Sequence, residues 1–308
     1  MLVRSANPSI LATLSETSSL WHDVKVYQSY AYIVSEAGGG IHTYDMSNID
    51  NGVVSYVGAT TSGGSSASHN VAIDTYSGML YRCGGGGNGL RIYSLANPAS
   101  PSYVGSWNTR YVHDAQIVTY TSGPYAGKQI AFCCSDGSQP ALDILDVTNP
   151  NNVIELDFVT YSNSAYSHQG WLSEDRQYFY LGDEGDEPPL PTTTIVINVA
   201  NLSNAFQQTT FTNGNSAIGH NLYTHNGYCF QANYTSGLRI FDLNESPTNP
   251  PEVAYFDTYP SSNSASFNGL WNVYPYFASG TLIGSDMQGG LFIWRFAQPP
   301  VIFDFPNG

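Results

Sequence analysis

One pattern returns six times along the chain, and it restricts the fold more than any other feature. Each copy opens with a short polar turn and a His or Asn, and an alternating strand follows. A second strand then ends in Gly, Asp, Glu or Asn. A third strand reads Gly-Leu/Ile-x-Ile/Leu-x-Asp-like and often closes on Asn-Pro. The openings are Trp21-His22-Asp23-Val24, Ser68-His69-Asn70-Val71, Val112-His113-Asp114-Ala115, Ser167-His168-Gln169-Gly170, Gly219-His220-Asn221-Leu222 and Phe267-Asn268-Gly269-Leu270. The slot residues stand at 22, 69, 113, 168, 220 and 268, so the steps are 47, 44, 55, 52 and 48 residues. Such a period is that of one four-stranded propeller blade.

The third strands are visible as Gly40–Asp45, Gly89–Ser94, Ala141–Asp146, Thr194–Asn198, Gly237–Asp242 and Gly290–Trp294. Short fourth strands are expected at Val53–Gly58, Ser102–Trp107, Val153–Val159 and Val253–Asp257. The predicted fold is therefore all-β, a six-bladed β-propeller with four-stranded blades, occupying 1–296 as a single domain, with 297–308 as a C-terminal tail. Asn7-Pro8-Ser9-Ile10-Leu11-Ala12 resembles the fourth-strand entry Asn97-Pro98…Pro101-Ser102-Tyr103-Val104. Ile10–Leu14 is thus predicted to complete the last blade and close the ring, which removes an exposed sheet edge.

The net charge, 9 basic minus 24 acidic residues, is −15. A chain so acidic repels nucleic acid and anionic membrane surfaces, and it is compatible with cation binding and with a saline or extracellular setting. No stretch of ~18 apolar residues is present to span a membrane. The opening Met1-Leu2-Val3-Arg4 lacks the apolar region of a signal peptide. This leaves either the mature form of an exported protein carrying an added Met or a cytosolic chain, and the polar, Tyr-rich composition favours the first. The four cysteines, Cys83, Cys133, Cys134 and Cys229, match no zinc spacing and are expected as buried thiols or one disulfide.

Several blocks are similar to one family. Leu142-Asp143-Ile144-Leu145-Asp146-Val147-Thr148-Asn149-Pro150 resembles the LVIVD-type propeller repeat. His113-Asp114-Ala115-Gln116-Ile117-Val118, His168-Gln169-Gly170-Trp171-Leu172, Gly182-Asp183-Glu184, His220-Asn221-Leu222-Tyr223, Gln231-Ala232-Asn233-Tyr234-Thr235-Ser236-Gly237-Leu238-Arg239 and Trp271-Asn272-Val273-Tyr274-Pro275 resemble the choice-of-anchor B family of bacterial surface proteins. The resemblance implies an extracellular or cell-surface propeller, usually followed by an anchor, and implies no particular reaction.

Five of the seven histidines occupy the repeat slot: His22, His69, His113, His168 and His220, with Asn268 in the sixth copy. Antiparallel pairing brings the ends of the second strands to the same side as these openings. That side is the expected mouth of the central channel, where Glu36, Asp136, Asp183, Glu184, Asn233 and Asp286 join the histidines. Gly84–Gly87 of the second blade would leave a gap there for a small-molecule or polysaccharide ligand. Three readings of the slot compete. In the first, each imidazole, with Asp23, Asn70, Asp114, Gln169 or Asn221 beside it, ties one blade to the next. In the second, His22, His69, His113, His168 and His220 hold a divalent transition metal such as Zn, Fe, Mn, Cu or Ni, three or four binding any one ion. Asp183, Glu184 and Asp286 complete that ligand set, and Glu36, Asp183 or Glu184 orient ligands or move protons. In the third, one or two histidines act in metal-free acid–base catalysis.

Gly182-Asp183-Glu184-Gly185-Asp186-Glu187-Pro188-Pro189 is the densest acidic segment and a candidate Ca²⁺ loop, although it lacks EF-hand spacing. His42 and His225 fall outside the slot and read as ordinary residues. A rival overall reading is a non-catalytic adhesion module that binds polysaccharide or protein, with structural histidines and calcium as a staple.

Overall fold

The computed structural model describes residues 10–14, 16–85 and 89–296. The chain is all-β, and its six antiparallel sheets are the blades of a six-bladed β-propeller. In chain order the blades are β1–β4 (His22–Tyr27, Tyr30–Ser35, Ile41–Asp45, Ser55–Thr60), β5–β8 (Asn70–Asp74, Met79–Cys83, Leu90–Ser94, Ser102–Trp107) and β9–β12 (Tyr111–Thr119, Gln129–Asp136, Ala141–Asp146, Ile154–Thr160). They continue as β13–β16 (Ser167–Leu172, Tyr178–Asp183, Thr193–Asn198, Phe206–Thr212), β17–β20 (Asn221–His225, Tyr228–Ala232, Leu238–Asp242, Glu252–Phe256) and β21–β23 (Leu270–Tyr274, Thr281–Asp286, Gly290–Arg295). Each sheet is a meander in sequence order. All four expected fourth strands form within about two residues of their predicted bounds, and β16 adds one that the pattern did not single out.

Two compact units divide the chain. One runs through Asp186 and includes Ile195–Thr209, and the other comprises Glu187–Thr194 and the chain from Thr210. The first holds three sheets and most of the fourth, and the second holds the last two.

Within the first unit the cores follow from the two-residue period of a strand. In β10, Ile130, Phe132 and Cys134 pack with Leu172, Phe179, Leu181, Ile195 and Ile197 of the fourth sheet. Ala131 and Cys133 point the other way, against Tyr81, Cys83, Leu90 and Ile92 of the second sheet. Strands covered on both faces therefore read as continuous apolar runs. Cys133 and Cys134 lie on opposite faces, so no vicinal bridge forms, and all four cysteines are free and buried. Burial raises each thiol above its ordinary pKa, Cys229 to about 12.

The sixth sheet has three strands among the described residues, and Ile10–Leu14 forms none. The predicted closing strand is thus not among the strands of the described residues. Ile10 and Leu11 are both exposed, without the alternation that a paired edge strand shows. The segment just after them is tethered instead to β3, where Glu16 accepts from Tyr44 Oη and pairs with His42 Nδ1 at 2.5 Å. His42, read as ordinary from the sequence, has this anchoring task. Residues 297–308, the expected tail, lie outside the described residues.

Phe132 and Phe179 stack across the third and fourth sheets with centroids 5.5 Å apart. Phe132→Ala is expected to cost ~3–5 kcal/mol of stability, measured by urea unfolding.

Candidate functional site

Three of the slot histidines in the first unit converge. His69, His113 and His168 present ring nitrogens that all lie within 4.8 Å of one another. The His69 and His113 rings are 4.1 Å apart by centroids, and those of His113 and His168 are 4.4 Å apart. His113 and His168 are buried, and His69 is half-buried.

Each imidazole is aimed by a neighbour. His113 Nδ1 lies 3.0 Å from the His168 carbonyl oxygen, which puts the proton on Nδ1 and makes Nε2 the donor atom for a metal. His69 Nδ1 meets Glu36 Oε1 at 2.7 Å. His168 Nε2 lies 3.6 Å from Glu184 Oε2.

The backbone under His69 is held by a fully buried arginine. Arg82 donates to Ser68 Oγ at 2.7 Å, to the Ala67 carbonyl at 3.2 Å, and to the Ser65 carbonyl. Burial lowers its pKa, because the cation loses its water, and the hydrogen-bonded Tyr93 hydroxyl opposes the shift. Gly84 packs against the same residue. It has φ +67°, and a Cβ there would stand 2.2 Å from His69 Cβ. Gly84 and Gly85 therefore permit the close approach of the 67–69 loop and leave no gap at these two of the four expected positions. Gly86 and Gly87 lie outside the described residues.

Two other predicted site residues of the first unit, His22 and Asp183, are placed differently. His22 is exposed at the start of β1, whose Val24 and Val26 are also exposed because no sheet of the first unit covers that face. His22 joins no metal-competent group among the described residues. Asp183 is fully buried, and both its oxygens are used within its own loop. Oδ2 accepts from Tyr161 Oη and Ala165 N at 2.8 Å each, and Oδ1 accepts from Tyr166 N at 2.8 Å and Gly185 N at 2.9 Å. Its task is to shape the turn that carries Tyr166 and His168.

In the second unit, His220 Nδ1 meets the Trp271 carbonyl oxygen at 2.5 Å, and its ring lies 4.5 Å from Tyr234 and 4.6 Å from Trp271. Asp286 caps the β22–β23 turn through Gln288 N and Gly289 N. Glu187 of the acidic segment accepts from Thr193 N and Gly219 N.

Some of the predicted neighbours do tie sheets together. Asp23 Oδ2 accepts from Val71 N at 3.1 Å, and Asn221 Nδ2 donates to the Trp271 carbonyl at 3.1 Å. Gln116, which the repeat did not single out, accepts from Leu172 N at 2.8 Å.

Asp114 is different. Burial pushes its carboxyl up to about 6, with Lys25 and His69 opposing and Asp23 assisting. Two aromatic residues also escaped the sequence reading. Tyr111 and Tyr166 stand two residues before His113 and His168, and the Tyr166 ring meets His113 edge-on at 5.2 Å. Their signal was the repeated offset of two, which places alternate side chains on one face.

The fold is shared with solved structures. A protein from Lactobacillus plantarum is 11% identical, with a TM-score of 0.65, over 88% of this chain and 78% of its own. A chain of a nidogen/laminin complex is 10% identical, with a TM-score of 0.51, over 76% of this chain and 78% of its own. The computationally designed Ika8 protein is 8% identical, with a TM-score of 0.56, over 89% of this chain and 70% of its own. No family model and no curated protein sequence matches the chain. At these identities the likeness is one of fold alone.

Two expectations follow. Asp183→Ala strands four donors and should cost ~3 kcal/mol or more, whereas Glu184→Gln should change stability by less than ~1 kcal/mol, both read by thermal and urea unfolding. For Asp114 the folded-state pKa lies above the unfolded value near 3.8. The native state then binds the proton more tightly, so stability falls as pH rises from about 4 to about 6 and the loss is complete above that. In chelator-treated protein, Asp114→Asn should flatten this part of the pH–stability profile, removing a loss of ~2–3 kcal/mol.

Proposed function

We propose that this chain is an exported β-propeller whose functional centre is a divalent transition-metal site formed by His69, His113 and His168. The convergence of three imidazole nitrogens within 4.8 Å carries this reading. Imidazole donors favour Zn, Cu, Fe or Mn over Ca²⁺, which prefers oxygen ligands. Glu36 and the His168 carbonyl supply the outer contacts that fix tautomer and ring orientation.

Three protein ligands are the signature of a centre with an open position, and an ion held there would polarise a bound water or carbonyl. Glu36, the exposed member of the group, is placed to exchange a proton with such a water. An extracellular or cell-surface location is supported by the resemblance to choice-of-anchor B proteins and by the net charge of −15.

A second reading has an observation of its own. His113 and His220 each bond a backbone carbonyl of the following sheet, as structural ties would. In that case the chain is a non-catalytic recognition module that binds polysaccharide or protein. Calcium as its staple is disfavoured, because Asp183 and Glu187 are used as acceptors for backbone N–H groups.

Elemental analysis and a competitive Zn²⁺ titration separate the two readings. The metal reading expects one transition ion per chain. It also expects His113→Ala and His168→Ala to weaken binding at least 100-fold, Glu36→Gln to weaken it about tenfold, and His22→Ala to change nothing. A folded protein that takes up no transition ion would sink it.

A further inference from the structure

A cavity of about 460 Å³ opens between the second and third sheets, within the first unit and away from the histidines. Its volume lies in the range of small-ligand sites, roughly 300–1,000 Å³. His69 precedes β5 and His113 lies near the start of β9, whereas the cavity residues Tyr76 and Ser77 follow β5 and Thr119 ends β9. The run of strand from His113 to Thr119 separates the two places by on the order of 20 Å.

The polar part of the lining is already arranged. Gln129 Nε2 donates to Asp74 Oδ2 at 2.7 Å and to Ser77 Oγ at 2.5 Å, and Gln129 Oε1 accepts from Tyr81 Oη at 2.6 Å. Thr119 Oγ1 donates to Asp74 Oδ2, Thr148 Oγ1 donates to Asp146 Oδ1, and Ser77 Oγ donates to the Asp74 carbonyl. The hydroxyl hydrogens are thus spent on the protein, and these three oxygens keep acceptor capacity. Met79, Val104 and Pro150 make the apolar part. At the rim stands Tyr76, 74% exposed. Its turn is fixed, because Tyr76 N donates to Asp74 Oδ1 at 3.2 Å and Gly78, at φ +67°, packs so that a Cβ would stand 2.8 Å from Tyr27 Oη of the first sheet.

These features select a ligand. None of the described residues lining the cavity is charged, and Lys128, beside Gly127, pairs with Asp146 at 2.9 Å. An anion would meet acceptor oxygens backed by the Asp74 and Asp146 carboxylates. An aliphatic molecule would strip water from those acceptors and return no hydrogen bond. A neutral polyol donates to them through its own hydroxyls and lays its C–H face on an aromatic ring. We propose that this cavity binds neutral sugar residues, with Tyr76 as the stacking platform and Ser77, Thr119 and Thr148 as acceptors for sugar hydroxyls. The site stands whether or not the histidines hold a metal.

Cellotetraose, maltotetraose and mannotetraose are the neutral probes, and tetragalacturonate is the anionic one. Each is titrated calorimetrically into the whole chain, once with Zn²⁺ and once after chelation. At least one neutral tetrasaccharide is expected to bind with a Kd of about 1 mM or lower, roughly tenfold or more tighter than tetragalacturonate, equally with and without the metal. Tyr76→Ala should weaken that binding about tenfold while leaving Zn²⁺ uptake and thermal stability unchanged, and Tyr76→Phe should keep it within about threefold. Failure of all three neutral probes to bind, a preference for tetragalacturonate, an affinity untouched by Tyr76→Ala, or binding lost on chelation overturns the site. Sugar binding in a chain that takes up no Zn²⁺ upholds this site and counts against the metal reading alone.

Discussion

The hydrogen bond from His113 Nδ1 to the His168 carbonyl carries two loads at once. It satisfies a buried polar pair where two sheets meet, and it sets the tautomer that turns Nε2 outward. The structural and metal-binding readings of the slot are therefore not exclusive within one ring. One nitrogen serves the fold while the ring as a whole stays within the histidine group. Asp23 and Gln116 make similar connections to Val71 and Leu172. The position of the imidazoles is thus inherited from how sheets two, three and four are joined.

The supports under His69 follow the same logic with different chemistry. Arg82 holds the preceding loop by its carbonyls, and Gly84 lets that loop lie against the end of β6. The centre is carried by buried, oriented groups on strands, which is the kind of support a precise ligand geometry requires. Even Asp183, one of the three acids read as ligands from the sequence, belongs to this support.

The blade period, the third strands and the histidine slot were legible because a repeat forces the same residue types into equivalent places. Strand order followed from the same evidence. What the repeat does not encode is which face of an end blade is covered. His22 matches the slot but starts a strand whose outer face has no sheet of its own unit against it, so it stays exposed. Ile10–Leu14 matched a fourth-strand entry by residue type, yet Glu16 is drawn to His42 and Tyr44. Asp183 and Glu184 are adjacent and chemically alike. Only the three-dimensional turn shows that the first accepts four donors while the second lies beside His168. Tyr111 and Tyr166 were hidden for the opposite reason, since only their offset of two from the slot histidines, and not their residue type, marks them out from the chain's many other tyrosines.

The unpaired cysteines have a consequence of their own. Cys83, Cys133 and Cys134 lie in the first unit and Cys229 in the second, each sealed from solvent. A thiol so enclosed reacts with an alkylating reagent only when its surroundings open. The chain thus carries native reporters of breathing in both units, and the rates at which they are labelled rank the opening free energies of two regions of one continuous polypeptide.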